Sequence, residues 1–305
     1  KVSAIVLWIS AVSYVLQDHG PGMTGAEFEI VPGIFEHRTA GTERDSFFAA
    51  APDDPKFGLI LPSFKDLHEK ITAMKKKGDK VKVLYLLRHA EGYHNSAERE
   101  INDHHKWFKD EGVKEKYVDA DLNYAGIEQS KELSKRLGRA AKLGLRVERL
   151  VTSPLRRAVR TAGIGFNLTE DRRPDALEHY KDLSRRQAVA EELARETIGQ
   201  LTCDKRLTRT ELAKTFKWVD YSGISEEDKL WTAGARETLD EKKRRVRLFL
   251  KELWKNEKLN DDTYVVVATH SGWINAFLRE LHVIDDTSRW KPANAQMMGL
   301  VVKME

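Results

Sequence analysis

Residues 82–95 read KVLYLLRHAEGYHN. The apolar run at 82–87 has the length and the β-branched and aromatic content of a strand, and it stops abruptly in polar residues at Arg88-His89. A second run, residues 263–269 (TYVVVAT), ends the same way, in His270-Ser271-Gly272 at the start of a helical pattern. Two strands that each deliver a histidine to a helix junction predict an α/β protein. In open α/β sheets ligands bind at the carboxyl edge, where helix N-termini present unpaired amides and the positive end of their dipoles. Phosphate is the natural guest of such an edge.

Outward from these strands the pattern alternates. Asp121-Leu122-Asn123 precedes a helical stretch at 124–142 with leucines on one face, and Asn95 is a candidate cap for an earlier helix. Residues 147–152 form the next strand. Ser153-Pro154 then places a cap and an N1 proline before a helix at 155–165. The alternation predicts a three-layer sandwich, a mostly parallel central sheet flanked by helices. A helix is expected at 64–77 in an N-terminal extension, a long amphipathic one at 237–259 with Leu239, Val246, Leu250 and Leu253 at core spacing and a basic opposite face, and a last strand at 298–304. Residues 167–235 break the rhythm; they are charged and mostly helical in period, and are read as a lid inserted into a single domain spanning 24–305.

The chain of 305 residues is 41% hydrophobic and 33% charged, the composition of a globular protein with a sizeable core. Its 52 basic against 48 acidic residues leave a net charge of +4, which gives nucleic-acid binding no support. Basic pairs such as Arg156-Arg157 and the run 242–245 read as solvated helix faces. One cysteine, Cys203, excludes an intrachain disulfide and every multi-cysteine zinc arrangement, so a reducing compartment such as the cytoplasm is expected. Residues 1–23 qualify this, because Val2 to Leu16 is apolar behind Lys1. It reads equally as a signal or anchor, a buried helix, or sequence added in cloning or from an upstream exon. If native, it places the protein in the secretory pathway or at a membrane, through contact of residues 1–16. Oligomeric state has no signature in the sequence.

The segment Arg88-His89-Ala90-Glu91, three residues, then Asn95 resembles the signature of the histidine phosphatase superfamily, in its phosphoglycerate-mutase-like branch; Ala90 stands for the usual glycine. Ser153-Pro154-Leu155-Arg156-Arg157-Ala158 resembles the second arginine motif of that family, and Thr269-His270-Ser271-Gly272 its second histidine motif. The text around Arg195-Glu196 and Cys203-Asp204-Lys205-Arg206 is similar to a fungal and plant subgroup. The resemblance implies a phosphatase with His89 as nucleophile and His270 as the second imidazole, needing no cofactor and no metal. It further implies a proton donor from the insertion, for which Glu196 is preferred over Glu192, with Glu191 third.

The residue chemistry points the same way. A phosphate monoester is a dianion, and arginine matches two of its oxygens with a planar fork, a role open to Arg88 and Arg157. A neutral imidazole attacks phosphorus at neutral pH without metal help. Asn95, Ser271 and the amides after His270 are expected to complete the cradle. Lys205, Arg206 and Arg209 are candidates for reading a second anionic group. His104-His105 has no carboxylate at ligand spacing and reads as a solvated helix rather than a metal site. The expected partner is a phosphorylated small molecule. Two alternatives stay open, a phosphomutase on the same site and a non-catalytic phospholigand-binding protein.

Overall fold

The computed structural model describes residues 27–36, 53–168, 183, 187–288 and 290–305. The apolar segment at 1–23 lies outside these residues, and so does part of the insertion.

The strands are β1 (Phe28–Ile30), β2 (Lys80–Arg88), β3 (Arg149–Thr152), β4 (Ala188–Ala190), β5 (Val219–Asp220), β6 (Tyr264–Thr269) and β7 (Met297–Met304). They form a mixed sheet in the order β1-β7-β2-β6-β3-β4-β5. The pairs from β2 through β6, β3 and β4 to β5 are all parallel. Antiparallel β7 and β1 close the other edge.

β2 explains the layering. Its side chains alternate, so Val83, Tyr85 and Leu87 pack on one face with Leu133, Leu137 and Val159 from helices α3 (Tyr124–Lys142) and α4 (Arg156–Gly165). Leu84 and Leu86 point to the other face, where Val246, Phe249 and Leu250 of α6 (Leu239–Lys255) meet Trp273 and Phe277 of α7 (Ser271–Glu280). Helices α1 (Phe64–Lys76), α2 (Tyr93–Ile101) and α5 (Arg209–Thr215) are accompanied by a short helical turn at His104–Lys106 that runs into a π-helical turn at Trp107–Glu111. None of the helices among the described residues is long and apolar enough to cross a membrane.

Three local expectations change. Gly92, not Asn95, is the N-cap of α2; Asn95 sits one turn in, and its Oδ1 closes back on the Gly92 amide at 3.0 Å. Leu155, rather than Ser153, caps α4, because the Ser153 hydroxyl is drawn to His270 at 2.8 Å. The insertion, where described, is less helical than its period predicts. It contributes β4 and β5 to the sheet, then two 3-10 turns and the single short helix α5, because hydrogen bonding to the open edge of β3 outweighs a weak helical preference.

Candidate active site

The register of β2 against β6 places Arg88 opposite Thr269, so the two strands end together, and the His89 amide donates to the Thr269 carbonyl at 2.9 Å. The two imidazoles are thereby brought side by side, with ring centroids 5.0 Å apart. His89 Nδ1 lies 2.6 Å from the Ala90 carbonyl oxygen. A carbonyl only accepts, so Nδ1 carries the proton and the lone pair is on Nε2, the state a nucleophile requires. Burial first, then the charges of Arg157 and Arg88 and the neighbouring His270, push the His89 pKa well below the usual imidazole value and keep the ring neutral.

The hydrogen-bond donors around it arrive from three elements. Arg88 ends β2 and anchors one terminal nitrogen on the Pro292 carbonyl at 2.6 Å. Arg157, fully buried in the first turn of α4, donates to the Cys203 carbonyl at 2.5 Å and to Asp204 at 2.9 Å. His270 Nε2 faces the Ser153 hydroxyl. The Nε of Arg88, the Nε of Arg157 and Nδ1 of His270 have no hydrogen-bond partner among the described residues. Three unpaired nitrogens on residues that neighbour a neutral imidazole suit an anion, since a buried polar group left unpaired costs about 1–3 kcal/mol.

Arg88, His89, Asn95, Arg157, Glu196 and Ser271 line one cavity of about 390 Å³. Glu196 faces it from the insertion. Its carboxylate accepts from the Gly272 amide at 3.1 Å and the Thr197 amide at 2.9 Å; a Cβ on Gly272 would lie 2.2 Å from Glu196 Oε1, so only glycine admits the carboxylate here. That amide is therefore spent on Glu196 rather than on the cradle expected from the sequence. Burial raises the Glu196 pKa, but the Lys242 ammonium, the Gly272 amide and Arg157 outweigh it and hold the group at about 2.

The other candidates fall outside the cavity. Glu192 is buried and bonded to Arg195 at 3.0 Å and Arg206 at 2.8 Å, with no face toward His89. Arg206, expected to read substrate, spends its guanidinium on Glu192 and on the carbonyls of Leu207, Ser225, Glu226 and Glu227. Arg195 links Glu192 to Asp228, and also donates to the Asp204 carbonyl at 2.5 Å. This buried ion network pins the insertion as a fixed wall. Glu191 caps the turn that follows it by accepting the Leu193 amide at 3.0 Å, away from the cavity. Lys205 stands over the Trp231 ring, Arg209 pairs with Glu226, and neither lines the cavity.

The sequence pattern of the histidine phosphatase superfamily (branch 1) matches residues 84–303. The chain belongs to this family. It is 33% identical over 219 residues to a phosphoglycerate mutase-like protein 1 of Arabidopsis thaliana, covering 66% of this chain and 73% of the relative. It is 28% identical over 275 residues to a probable phosphoglycerate mutase of Saccharomyces cerevisiae, covering 77% and 87%. A solved phosphoglycerate mutase from Bacillus anthracis superposes with a TM-score of 0.45 at 14% identity, covering 75% and 94%.

Four cavity residues escaped the sequence reading. Lys242 was taken with a solvated basic run, yet it is buried and donates to the Thr197 hydroxyl, and Arg236, which also lines the cavity, was not singled out. The neighbour of Lys242 on α6, Arg245, is buried too, held by Glu237 and by the carbonyls of Leu193, Arg195 and Glu196; two of the four basic residues at 242–245 are thus interior. Asp204 fixes Arg157, and His94 lay unread inside the quoted motif.

The buried imidazoles also set a pH dependence. His89, His94 and His270 are all shifted well below the usual value, chiefly by burial, so the folded chain leaves them neutral while the unfolded chain protonates them below about pH 6.5. Stability is thus complete above that value and lost as pH falls toward the depressed folded values. Each ring contributes up to about 1.4 kcal/mol to the loss between pH 7.5 and 5.5, and the buried carboxyls of Glu191, pushed up to about 8, and Asp119, pushed up to about 6, oppose it. NMR titration of the three imidazoles in the folded protein should find them neutral at pH 5.5, and rings that charge near pH 6.5 would overturn the shift.

Proposed function

We propose that the protein hydrolyses a phosphate monoester by way of a phosphohistidine on His89, without a metal ion. The observation that carries this is the set of unpaired nitrogens on Arg88, Arg157 and His270 around a neutral imidazole whose protonated Nδ1 is tied to a carbonyl. Nε2 attacks phosphorus in line, the P–O bond to the leaving alkoxide breaks, and the arginines hold the equatorial oxygens. Glu196 passes a proton to the alkoxide. Because Glu196 begins as a carboxylate, the proton enters with the substrate monoanion, and the arriving negative charge raises the affinity of Glu196 for it. In the second half Glu196 takes a proton from the water that cleaves the P–N bond.

Positive charge in this site comes from side chains, and among the described residues no cluster of three or more His, Cys, Asp or Glu side chains is placed to hold a metal. Release of inorganic phosphate from a panel of phosphorylated sugars, inositols, nucleotides and lipids should therefore survive thorough chelation and be inhibited by vanadate, which mimics five-coordinate phosphorus. Activity lost with EDTA and restored by Mg²⁺ or Zn²⁺ would overturn the reading. The mutase-like names of the relatives favour a second one, return of the phosphoryl group to substrate. Transfer products in place of inorganic phosphate, on adding acceptor alcohols, would select it.

A further inference from the structure

His94 faces the same cavity and takes no part in the contacts described above. It stands in the first turn of α2, buried, with its ring centroid 5.8 Å from that of His89. Its Nδ1 has no hydrogen-bond partner among the described residues, an arrangement a folded protein retains only against a cost. The backbone makes room for it. A Cβ on Gly92 would lie 2.8 Å from Nδ1 and 2.9 Å from Cε1 of His94. Gly92 has φ −97° and ψ 164°, a conformation any residue adopts, so the position uses the missing side chain and not the backbone freedom of glycine. The chain thus keeps space, at the wall of the phosphate cavity, for a ring whose Nδ1 makes no internal hydrogen bond.

The charged groups that act on this ring are Arg157, Glu196 and Arg88. Burial first, then the two arginines, keep it neutral against the opposing pull of Glu196, so it carries one N–H and one lone pair. A half-turn about the Cβ–Cγ bond brings a ring nitrogen to either edge. Between two guanidiniums and a carboxylate, the ligand atom that such an N–H meets is an oxygen of the bound anion.

We propose that His94 is a further substrate-binding residue, donating a ring N–H to an oxygen of the phosphoryl group held at His89. This rests on the reading of the cavity as a phosphoryl-transfer site. Vanadate binding, measured by calorimetry together with thermal unfolding, tests it. His94→Phe keeps the ring shape without nitrogens, and should weaken vanadate binding about 10- to 100-fold, the effect of one hydrogen bond to a charged group. Its melting temperature should match or exceed that of the wild type, since an unpaired buried polar group has been removed. A role in packing alone predicts the reverse, unchanged vanadate affinity with or without a lower melting temperature, and that result overturns the proposal. If His94→Phe does not fold, His94→Asn is compared with His94→Ala. The donor-bearing variant should bind vanadate at least about fivefold tighter, and equal affinities refute the assignment. A wild type that does not bind vanadate refutes the phosphoryl site itself, and His94 with it.

Discussion

His89→Ala should reduce turnover by roughly 10⁴-fold or more, an effect of about 5 kcal/mol on the barrier, while leaving the fold intact. The side chain lies at the end of β2, beyond the apolar run that builds the core, and its removal deletes the nitrogen proposed to attack. The strand, its pairing with β6 and the arginine cradle do not depend on it. Rapid quenching of the wild type with labelled substrate should trap a phosphoenzyme that is acid-labile and base-stable, the behaviour of a P–N bond, and the variant should show none. Near-normal activity in His89→Ala would remove the central claim. A trapped phosphoryl group that resists acid would move the nucleophile to a different residue type.

Glu196→Gln should depress hydrolysis of alkyl phosphates by about 10²–10⁴-fold, the usual contribution of a positioned proton donor. Hydrolysis of p-nitrophenyl phosphate should fall much less, because nitrophenolate leaves without a proton. The contrast between substrates is the test, since glutamine also disturbs the hydrogen bonds to the Gly272 and Thr197 amides and a general loss would report only that. Glu192→Gln is the control. It removes the charge that holds Arg195 and Arg206 in the buried network, so it should lower the melting temperature without any dependence on the leaving group. Leaving-group dependence in Glu192→Gln and none in Glu196→Gln would reverse the assignment.

The fold and the two strand-end histidines were legible in the chain because both rest on short-range signals. Runs of β-branched and aromatic residues ending in Arg88-His89 and Thr269-His270, the cap at Asn123 and the apolar stripe of α6 mark their elements by period alone, and the observed bounds differ from the expected ones by a few residues at most. The family-like motifs around Arg88, Arg157 and His270 made these residues the candidates for the cradle. The described part of the insertion is less helical than its period predicts because its order comes from partners far along the chain. Arg195 and Asp228 are 33 residues apart, and their ion pair, with Glu192 and Arg206, is invisible to any local pattern. The same holds for Lys242. In sequence it is one lysine among four consecutive basic residues; in the folded chain its neighbours on α6 reach solvent to different degrees, and Lys242 turns inward to Glu196 and Thr197. The sequence by itself determined which strands form and where they end, and that each of the two central ones delivers a histidine to its carboxyl edge. Only the tertiary structure decided which carboxylate shares the cavity, because a charge acts through a few ångströms of space, whatever the number of residues that separate it from its partner.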